Sequence, residues 1–390
     1  MNQIYIELQN HFEEMVAIRR YLHERPELSF EEVHTPAFIA NYHKELGLQV
    51  REQVGGRGVV ATLHTNKPGR TIALRADFDA LAIQELNDIP YKSKNDGVMH
   101  ACGHDGHTAT LLVLAKVLTS IREQLCGTIV FIHQHAEELA PGGAIAMIED
   151  GCLEGVDEIY GAHLWSPLAL NTVQYLAGPI MAAADRFEIK IQGKGGHGAQ
   201  PHETVDAVVV AAQFVTQIQT IVARTVDPLQ SAVVSVGSFE ANNPFNVIAD
   251  HVNMLGTVRT FNEDVRQEVK KKIEQHLAGV CTAYGASYDY HYVEGYPPVV
   301  NHEEQTVVVA EAARKSLANL NVEQCKPMMI GEDFAYYLQH VPGSFFFVGA
   351  RDSNADIQYP HHHARFNFDE KAMLHTASIF SEILAARLNV

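Results

Sequence analysis

The stretch Gly127-Thr128-Ile129-Val130-Phe131-Ile132-His133-Gln134-His135-Ala136-Glu137-Glu138 decides the fold. It begins as a short apolar, β-branched run, the pattern of a strand buried on both faces, and breaks off into imidazoles and carboxylates. Thr71-Ile72-Ala73-Leu74-Arg75-Ala76 repeats the design and ends in Asp77-Phe78-Asp79, while Glu158-Ile159-Tyr160-Gly161-Ala162 ends at His163. Between the first two such runs, Thr108 to Leu125 carries Leu111, Leu114, Ala115, Leu118, Ile121 and Leu125 as a helical stripe. Alternating strand and helix patterns imply an α/β class, an open mixed sheet flanked by helices. Open sheets of this kind bind ligands beyond the carboxyl ends of their strands, where these polar residues stand.

The pattern changes between Ala182 and Pro297. Strand (Phe187–Gln192), helix (Val205–Val222), two strands (Ala232–Phe239, Val252–Phe261), helix (Glu263–Val280) and strand (Ser287–Val293) follow the β-α-β-β-α-β order of a ferredoxin-like α+β sandwich. Asn262 caps the second helix, with Glu263 and Asp264 in its first turn. The expected organisation is a discontinuous catalytic domain, 1–181 and 298–390, interrupted by an inserted lid or dimerisation domain, 182–297.

A chain of 390 residues, 46% hydrophobic and 19% charged, exceeds the usual single-domain size. Its formal charge of −18 argues against nucleic acid or an anionic membrane as partner. Five scattered cysteines do not form a disulfide framework and fit a reducing compartment. The N-terminus has no basic segment leading into an apolar run, and no uncharged apolar stretch reads as long enough to span a bilayer. A cytoplasmic protein is expected.

Twenty-two histidines are the compositional oddity, and they bunch. His100-Ala101-Cys102-Gly103-His104-Asp105-Gly106-His107 packs a thiol and three imidazoles into a loop before a helix. Two apart in extended chain, Cys102 and His104 would share a side, and thiolate with imidazole suits zinc or a similar divalent ion. A buried cysteine beside helix-capping polar groups is the alternative reading of this loop. Glu137 and Glu138 offer a ligand and a neighbouring base, and Pro141-Gly142-Gly143 lets the chain turn around them. Adjacent acids are ordinarily a solvated loop, but these follow a buried strand. His163 has the same placement, and His362 lies in the triplet His361-His362-His363.

Taken in order, Arg19-Arg20-Tyr21-Leu22-His23-Glu24-Arg25-Pro26-Glu27-Leu28-Ser29, Leu74-Arg75-Ala76-Asp77-Phe78-Asp79-Ala80-Leu81, Met99-His100-Ala101-Cys102-Gly103-His104-Asp105 and the histidine loop before Phe366 resemble a known family. It is the aminoacylase/carboxypeptidase-like metallopeptidases, specifically the N-acyl-amino-acid amidohydrolase branch with hippurate hydrolase, auxin-conjugate hydrolases and N-acetyldiaminopimelate deacetylase. The resemblance covers nearly the whole chain. It implies a metal-dependent exopeptidase-like fold and two divalent ions per chain, zinc or manganese. The implied ligands are Cys102, His104, Glu138, His163 and His362, with Glu137 as general base. Ala364 stands where the family's His-x-Pro-x-Phe pattern has proline, which leaves His361 and His363 as alternatives to His362. Asp77 and Asp79 would support the ligands. His197, from Gly193-Lys194-Gly195-Gly196-His197-Gly198, resembles the oxyanion donor, often supplied by the other subunit of a dimer. Asn246 and Arg259 resemble substrate contacts, the latter suited to a carboxylate, though a lone strand arginine is equally structural. The implied reaction is hydrolysis of an N-acyl amino acid or short peptide by a metal-activated water in a homodimer or higher homo-oligomer.

Other readings compete. Gly193 to Gly198 fits Gly-x-Gly-x-x-Gly, but no acidic residue stands between Gln213 and Gln219, where a dinucleotide site needs one. A dipeptidase or aminopeptidase of the same family would share the chemistry. A non-catalytic metal- or peptide-binding protein would not need Glu137.

Overall fold

The computed structural model describes residues 2–316, 320–352 and 358–388. It divides into two compact units: residues 1–180, 300–326 and 333–390 form the first, and residues 181–299 with 327–332 form the second.

In the first unit, strands β1 (Gln49–Val54), β2 (Gly58–His64), β3 (Thr71–Asp77), β4 (Thr128–Gln134), β5 (Glu158–Ala169) and β6 (Thr172–Tyr175) join Asn321–Gln324 and Gly343–Arg351 in one sheet. The order is β1-β2-β4-β3-β5, then Gly343–Arg351, β6 and Asn321–Gln324. Its centre is parallel, with β3 between β4 and β5, and Gly343–Arg351 parallel to β5. The β1/β2 and β2/β4 pairs run antiparallel, so the sheet is mixed. Central strands are buried almost without alternation, which is why they read as continuous apolar runs. Because β3 and β4 are parallel and Asp77 pairs with Gln134, both strands deliver their polar tails to one edge of the sheet.

Helix His104–Ser120 begins earlier than the Thr108 start read from the sequence, so His104 is its first residue rather than part of an extended loop. Gly103 precedes it at φ 99°, a left-handed conformation that glycine adopts without steric cost. The helix is buried nearly all round, not on one stripe: Leu111, Leu112, Val113 and Leu114 are all inaccessible to solvent. It packs between the sheet and the helices Phe12–His23 and Lys371–Leu388. Each such leucine contributes about 1.5–3 kcal/mol by leaving water, so the helix anchors its N-terminal His104 firmly. Strand β5 likewise runs on past His163 to Ala169, because the register with Gly343–Arg351 continues through His163–Phe347.

The second unit is a four-stranded antiparallel sheet in the order Ala232–Glu240, His251–Thr260, Ala183–Gln192, Ser287–Val293. Together with its two helices this gives a ferredoxin-like sandwich. Ala183–Gln192 alternates buried and open residues, and its buried Phe187, Ile189 and Ile191 join the core formed with helices Ala207–Thr220 and Glu263–Tyr284. The first helix starts at Ala207 because Asp206 caps it through the amides of Val208 and Val209. Asn262 caps the second through Asp264 and Val265, and Gly285 closes it at φ 71°.

One helix bears on the reading that no uncharged apolar stretch spans a bilayer. Ala207–Thr225 is long and apolar enough to cross a membrane by length and composition. Ala207, Val210, Ala211, Phe214, Ile218 and Ile221 are buried in the domain core, while Val208, Val209 and Val222 are exposed on the side that also carries Gln213, Gln217 and Gln219. It is the amphipathic core helix of this sandwich.

Candidate metal centre

Beyond β4 the chain turns at Ala136, a non-glycine residue at φ 51°, and presents Glu137 and Glu138. Helix His104–Ser120 brings His104 from one side, and the loop before it brings Cys102. Potential ligand atoms of Cys102, His104 and His163 lie within 4.8 Å of one another, as do those of Cys102, Glu138 and His362, and those of His104, Glu137 and Glu138. Cys102 thus belongs to two neighbouring three-donor sets. The Cys102 Sγ to His163 Nε2 distance is 3.4 Å, and His362 Nε2 is 3.3 Å from Glu138 Oε2.

Both buried histidines are oriented as ligands need. His163 donates from Nδ1 to the Leu164 carbonyl at 2.8 Å, which leaves a lone pair on Nε2. His104 donates from Nδ1 to the carbonyl and Oδ1 of Asp79, each at 3.1 Å, with the same consequence. His104 Nε2 and Glu138 Oε1 are buried without a hydrogen-bond partner. Unpaired buried polar atoms are costly, and atoms aimed at one another across a few ångströms are what an ion would satisfy. The electrostatics agree. Burial lowers the His104 imidazole, but Asp77, Asp79 and Glu138 outweigh it and lift the group to about 10. Burial and then Glu138, Glu137 and Asp77 push the Cys102 thiol well above its ordinary range. The field that draws a proton onto His104 and holds one on Cys102 equally attracts a divalent cation. Donor set, lone pairs and charge therefore fit metal.

Neighbouring imidazoles are spoken for. His107 donates from Nδ1 to Asp77 Oδ1 at 2.6 Å and accepts the Leu164 amide at Nε2, 3.0 Å. It ties Asp77 to the backbone beside His163 with no lone pair to spare. Asp77 in turn takes Arg75 at 2.6 Å, and Arg75 reaches Asp333 at 2.9 Å. Of the terminal triplet, His361 accepts the Ser166 amide at Nε2 and stacks on Trp165. His363 accepts the Arg365 amide and stacks on Tyr359. Only His362, at φ 64°, joins Cys102 and Glu138. Left-handed backbone at non-glycine residues concentrates at working sites, and Ala136 and His362 both show it here.

Residues 73–386 match peptidase family M20/M25/M40. The chain belongs to this family. YhaA of Bacillus subtilis, named as an amidohydrolase, is 55% identical over 370 residues, 95% of this chain and 93% of its own length. The N-acetyl-L-cysteine deacetylase of the same organism is 44% identical over 375 residues, 96% of this chain and 88% of its own. Among solved structures, the YXEP protein of Bacillus subtilis, described as a dinuclear metal-binding M20 peptidase, superposes with a TM-score of 0.84. It is 35% identical to this chain over 98% of this chain and 99% of its own.

In this M20 chain the remaining expected site residues lie in the second unit. His197 is exposed and pairs with Val247 across a short two-stranded ladder, next to Asn246, whose carbonyl accepts the Gly198 amide at 2.8 Å. His197 Nδ1 accepts the Ala199 amide at 3.0 Å, so Nε2 carries the proton and is a donor. Half-buried Arg259 donates to the Val258 carbonyl at 3.0 Å and to Thr257, and burial lowers its affinity for the proton. It borders a cavity of about 400 Å³ with Asp185, Arg186 and Leu255.

Sequence reasoning missed several supporting groups. His107 stood in the quoted loop, and only its two hydrogen bonds show that it is a strut. Asp105, also quoted, accepts Arg19 at 2.9 Å and His23 at 2.8 Å, which explains why the Arg19–Ser29 segment belongs with the site. Glu32 carried no signal in sequence: its contact with Ala136 spans 104 residues.

Proposed function

We propose that this chain is a dinuclear metal-dependent amidohydrolase that cleaves N-acyl amino acids, with Cys102, His104, Glu138, His163 and His362 as ligands and Glu137 as general base. One observation carries the reading: a buried carboxylate, Glu137, whose oxygen lies within 4.8 Å of ligand-ready His104 and Glu138. A protein that only stored metal would not need it. The names of relatives such as the N-acetyl-L-cysteine deacetylase support the acyl substrate class over dipeptides. The Cys102 thiolate leans towards zinc, while the Glu138 carboxylate also suits manganese.

Two bound divalent ions would supply a lowered pKa for water and polarisation of the amide carbonyl. Glu137 takes the proton from the attacking water and passes it to the departing amine nitrogen. His197, whose Nε2–H is fixed as donor by the Ala199 amide, stabilises the oxyanion of the tetrahedral intermediate. Arg259 and Asn246 contact the substrate, Arg259 through its carboxylate. A homodimer that supplies His197 from a partner copy is part of the proposal.

Glu137→Gln should retain two ions per chain while hydrolysis falls by about 10²–10⁴-fold, as loss of a general base implies. Full activity in that variant sinks the mechanism, and fewer than two ions in the parent sinks the ligand set. A panel of N-acetyl, N-benzoyl and longer-acyl amino acids beside dipeptides, run with zinc, manganese and cobalt, selects the substrate. Mixing His197→Ala with Glu137→Gln chains restores activity only if His197 acts across subunits.

A further inference from the structure

Glu137 sits in a turn that is held from both sides. One residue after it, the Glu138 amide donates to Asp79 Oδ2 at 3.0 Å. One residue before it, the Ala136 amide donates to Glu32 Oε1 at 2.9 Å, and the Ala136 carbonyl accepts the Gly143 amide at 3.1 Å. Ala136 needs such anchoring, because its left-handed backbone at φ 51° costs on the order of 1–3 kcal/mol and persists only where the surroundings impose it.

Glu32 is itself unusual. Its side chain is 1% exposed, yet it lies in a loop following helix Phe12–His23, and its second oxygen, Oε2, has no hydrogen-bond partner. The nearest cation is the Arg57 Nε, 3.8 Å from that oxygen and too far for a hydrogen bond. Apart from its own amide, the Ala136 amide is the backbone donor this carboxyl meets, and burying a carboxyl for so few partners is expensive unless they matter. The loop is tied down so as to deliver it. The Ala80 amide donates to the Glu27 carbonyl at 2.8 Å, Leu28 bridges to Ala80, and Ser29 Oγ donates to Asp79 Oδ2 at 2.7 Å. Phe30, at φ 66°, lays its ring edge-on against His135. The loop thus touches both clamps on the turn: it supplies Glu32 to Ala136 and braces Asp79, which holds Glu138.

We propose that Glu32 is a positioning residue for the general base, fixing the Ala136 turn so that Glu137 faces the reacting water. This rests on Glu137 being the base. Glu32 touches neither ligands nor substrate; it acts through one backbone amide. Gln should serve almost as well as Glu, since its amide oxygen can accept the same N–H. Burial also raises the Glu32 carboxyl to about 8, so an uncharged side chain is close to what stands there at neutral pH.

The test compares Glu32→Gln, Glu32→Ala, Glu137→Gln and the Glu32→Ala/Glu137→Gln double variant, all metal-loaded, with an N-acetyl amino acid as substrate. Glu32→Ala should lower kcat by about 10- to 100-fold with KM within about threefold and two ions retained, and Glu32→Gln should restore kcat to within about threefold of the parent. In the Glu137→Gln background, Glu32→Ala should cost no further activity, because a residue that works through the base has nothing left to position. Independently of activity, amide exchange in a peptide covering residues 133–140 should quicken in Glu32→Ala and not in Glu32→Gln. The proposal is overturned if Glu32→Ala keeps its kcat, if Glu32→Gln falls as far as Glu32→Ala, or if Glu32→Ala lowers the residual rate of Glu137→Gln equally. Loss of metal in step with kcat overturns it too, in favour of a general structural role. Parent-like hydrolysis by Glu137→Gln would instead remove the base assignment, while the exchange result still reports whether Glu32 holds the turn.

Discussion

Asp79 is the point at which a small change should disturb the metal centre most legibly. It is 1% exposed and accepts three donors: His104 Nδ1 at Oδ1, and the Glu138 amide and Ser29 Oγ at Oδ2. In Asp79→Asn the amide oxygen serves the Glu138 and Ser29 donors, and the new NH₂ faces His104 Nδ1. Two N–H groups cannot share that contact, so the imidazole is pressed towards carrying its proton on Nε2, where no metal can then bind. Losing such a support typically lowers metal affinity 10- to 100-fold. Here the Asp79 carbonyl, also 3.1 Å from Nδ1, still favours the competent tautomer. The expectation is therefore the lower end, about tenfold or about 1.4 kcal/mol. Asp79→Ala also strands the Glu138 amide and loosens a ligand's backbone, so it should reach about 100-fold and cost the metal-free fold about 1–3 kcal/mol for the unpaired donor. Competition against a chromophoric chelator at fixed pH gives the affinities, and urea midpoints of metal-free protein give the stability. An Asp79→Ala protein within about threefold of the parent affinity would refute the argument that this carboxylate sets the His104 tautomer.

Two further outcomes concern stability. In the second unit, Asp185 is buried and accepts Arg266 at 2.6 and 2.9 Å, the Tyr292 hydroxyl at 2.8 Å and the Gly295 amide at 2.9 Å. Asp185→Ala leaves the buried Arg266 guanidinium with only the exposed Glu263 carboxylate at 3.1 Å and the Gly295 carbonyl at 2.9 Å, and should cost about 3 kcal/mol, read from the urea midpoint; a loss under about 1 kcal/mol would show the pair to be expendable. In the first unit, His43 and His133 meet Nε2 to Nε2 at 2.9 Å in the core, and burial drives His43 down to about 3 and His133 well below its ordinary value. Both are neutral when folded, so above about pH 6.5 they have no linkage effect. Below it the unfolded chain gains protons that the native state refuses. Stability should therefore fall by up to about 1.4 kcal/mol per pH unit per histidine down towards pH 3, where His43 protonates in place. Urea midpoints from pH 7 to 4.5 should drop more steeply for the parent than for a His43→Leu/His133→Leu variant, and equal slopes would exclude the pair as the cause.

The candidate ligands were legible in the sequence, and of their supports only Asp77 and Asp79 were, through the family resemblance; the difference is chemical. Metal ligation and base catalysis draw on a handful of residue types, so the candidates Cys102 and His104 announce themselves by type in the loop that opens a helix, and Glu138 and His163 by type and by their place after apolar strand runs. A support needs only an acceptor or a donor at the correct distance, which nearly any polar residue provides. Glu32 reaches Ala136 across 104 positions, and Asp79 reaches Glu138 across 59, so no local periodicity records either contact. The element boundaries follow the same logic. Helix His104–Ser120 starts a turn before the Thr108 of its sequence reading, at left-handed Gly103, and stops short of Leu125, and it is buried almost all round, which a single stripe cannot foretell. The histidine triplet is the clearest case. The sequence favoured His362 of the triplet and kept His361 and His363 as alternatives, and the rings differ in what each already does: His361 holds the Ser166 amide, His363 holds the Arg365 amide, and His362 turns, through a left-handed backbone, to Cys102 and Glu138. A His362→Ala variant should then weaken metal binding, whereas His363→Ala should leave it within about threefold of the parent, an ordering that chelator competition reads directly. The reverse ordering would mean that the hydrogen bonds holding His361 and His363 do not decide which ring is free to bind.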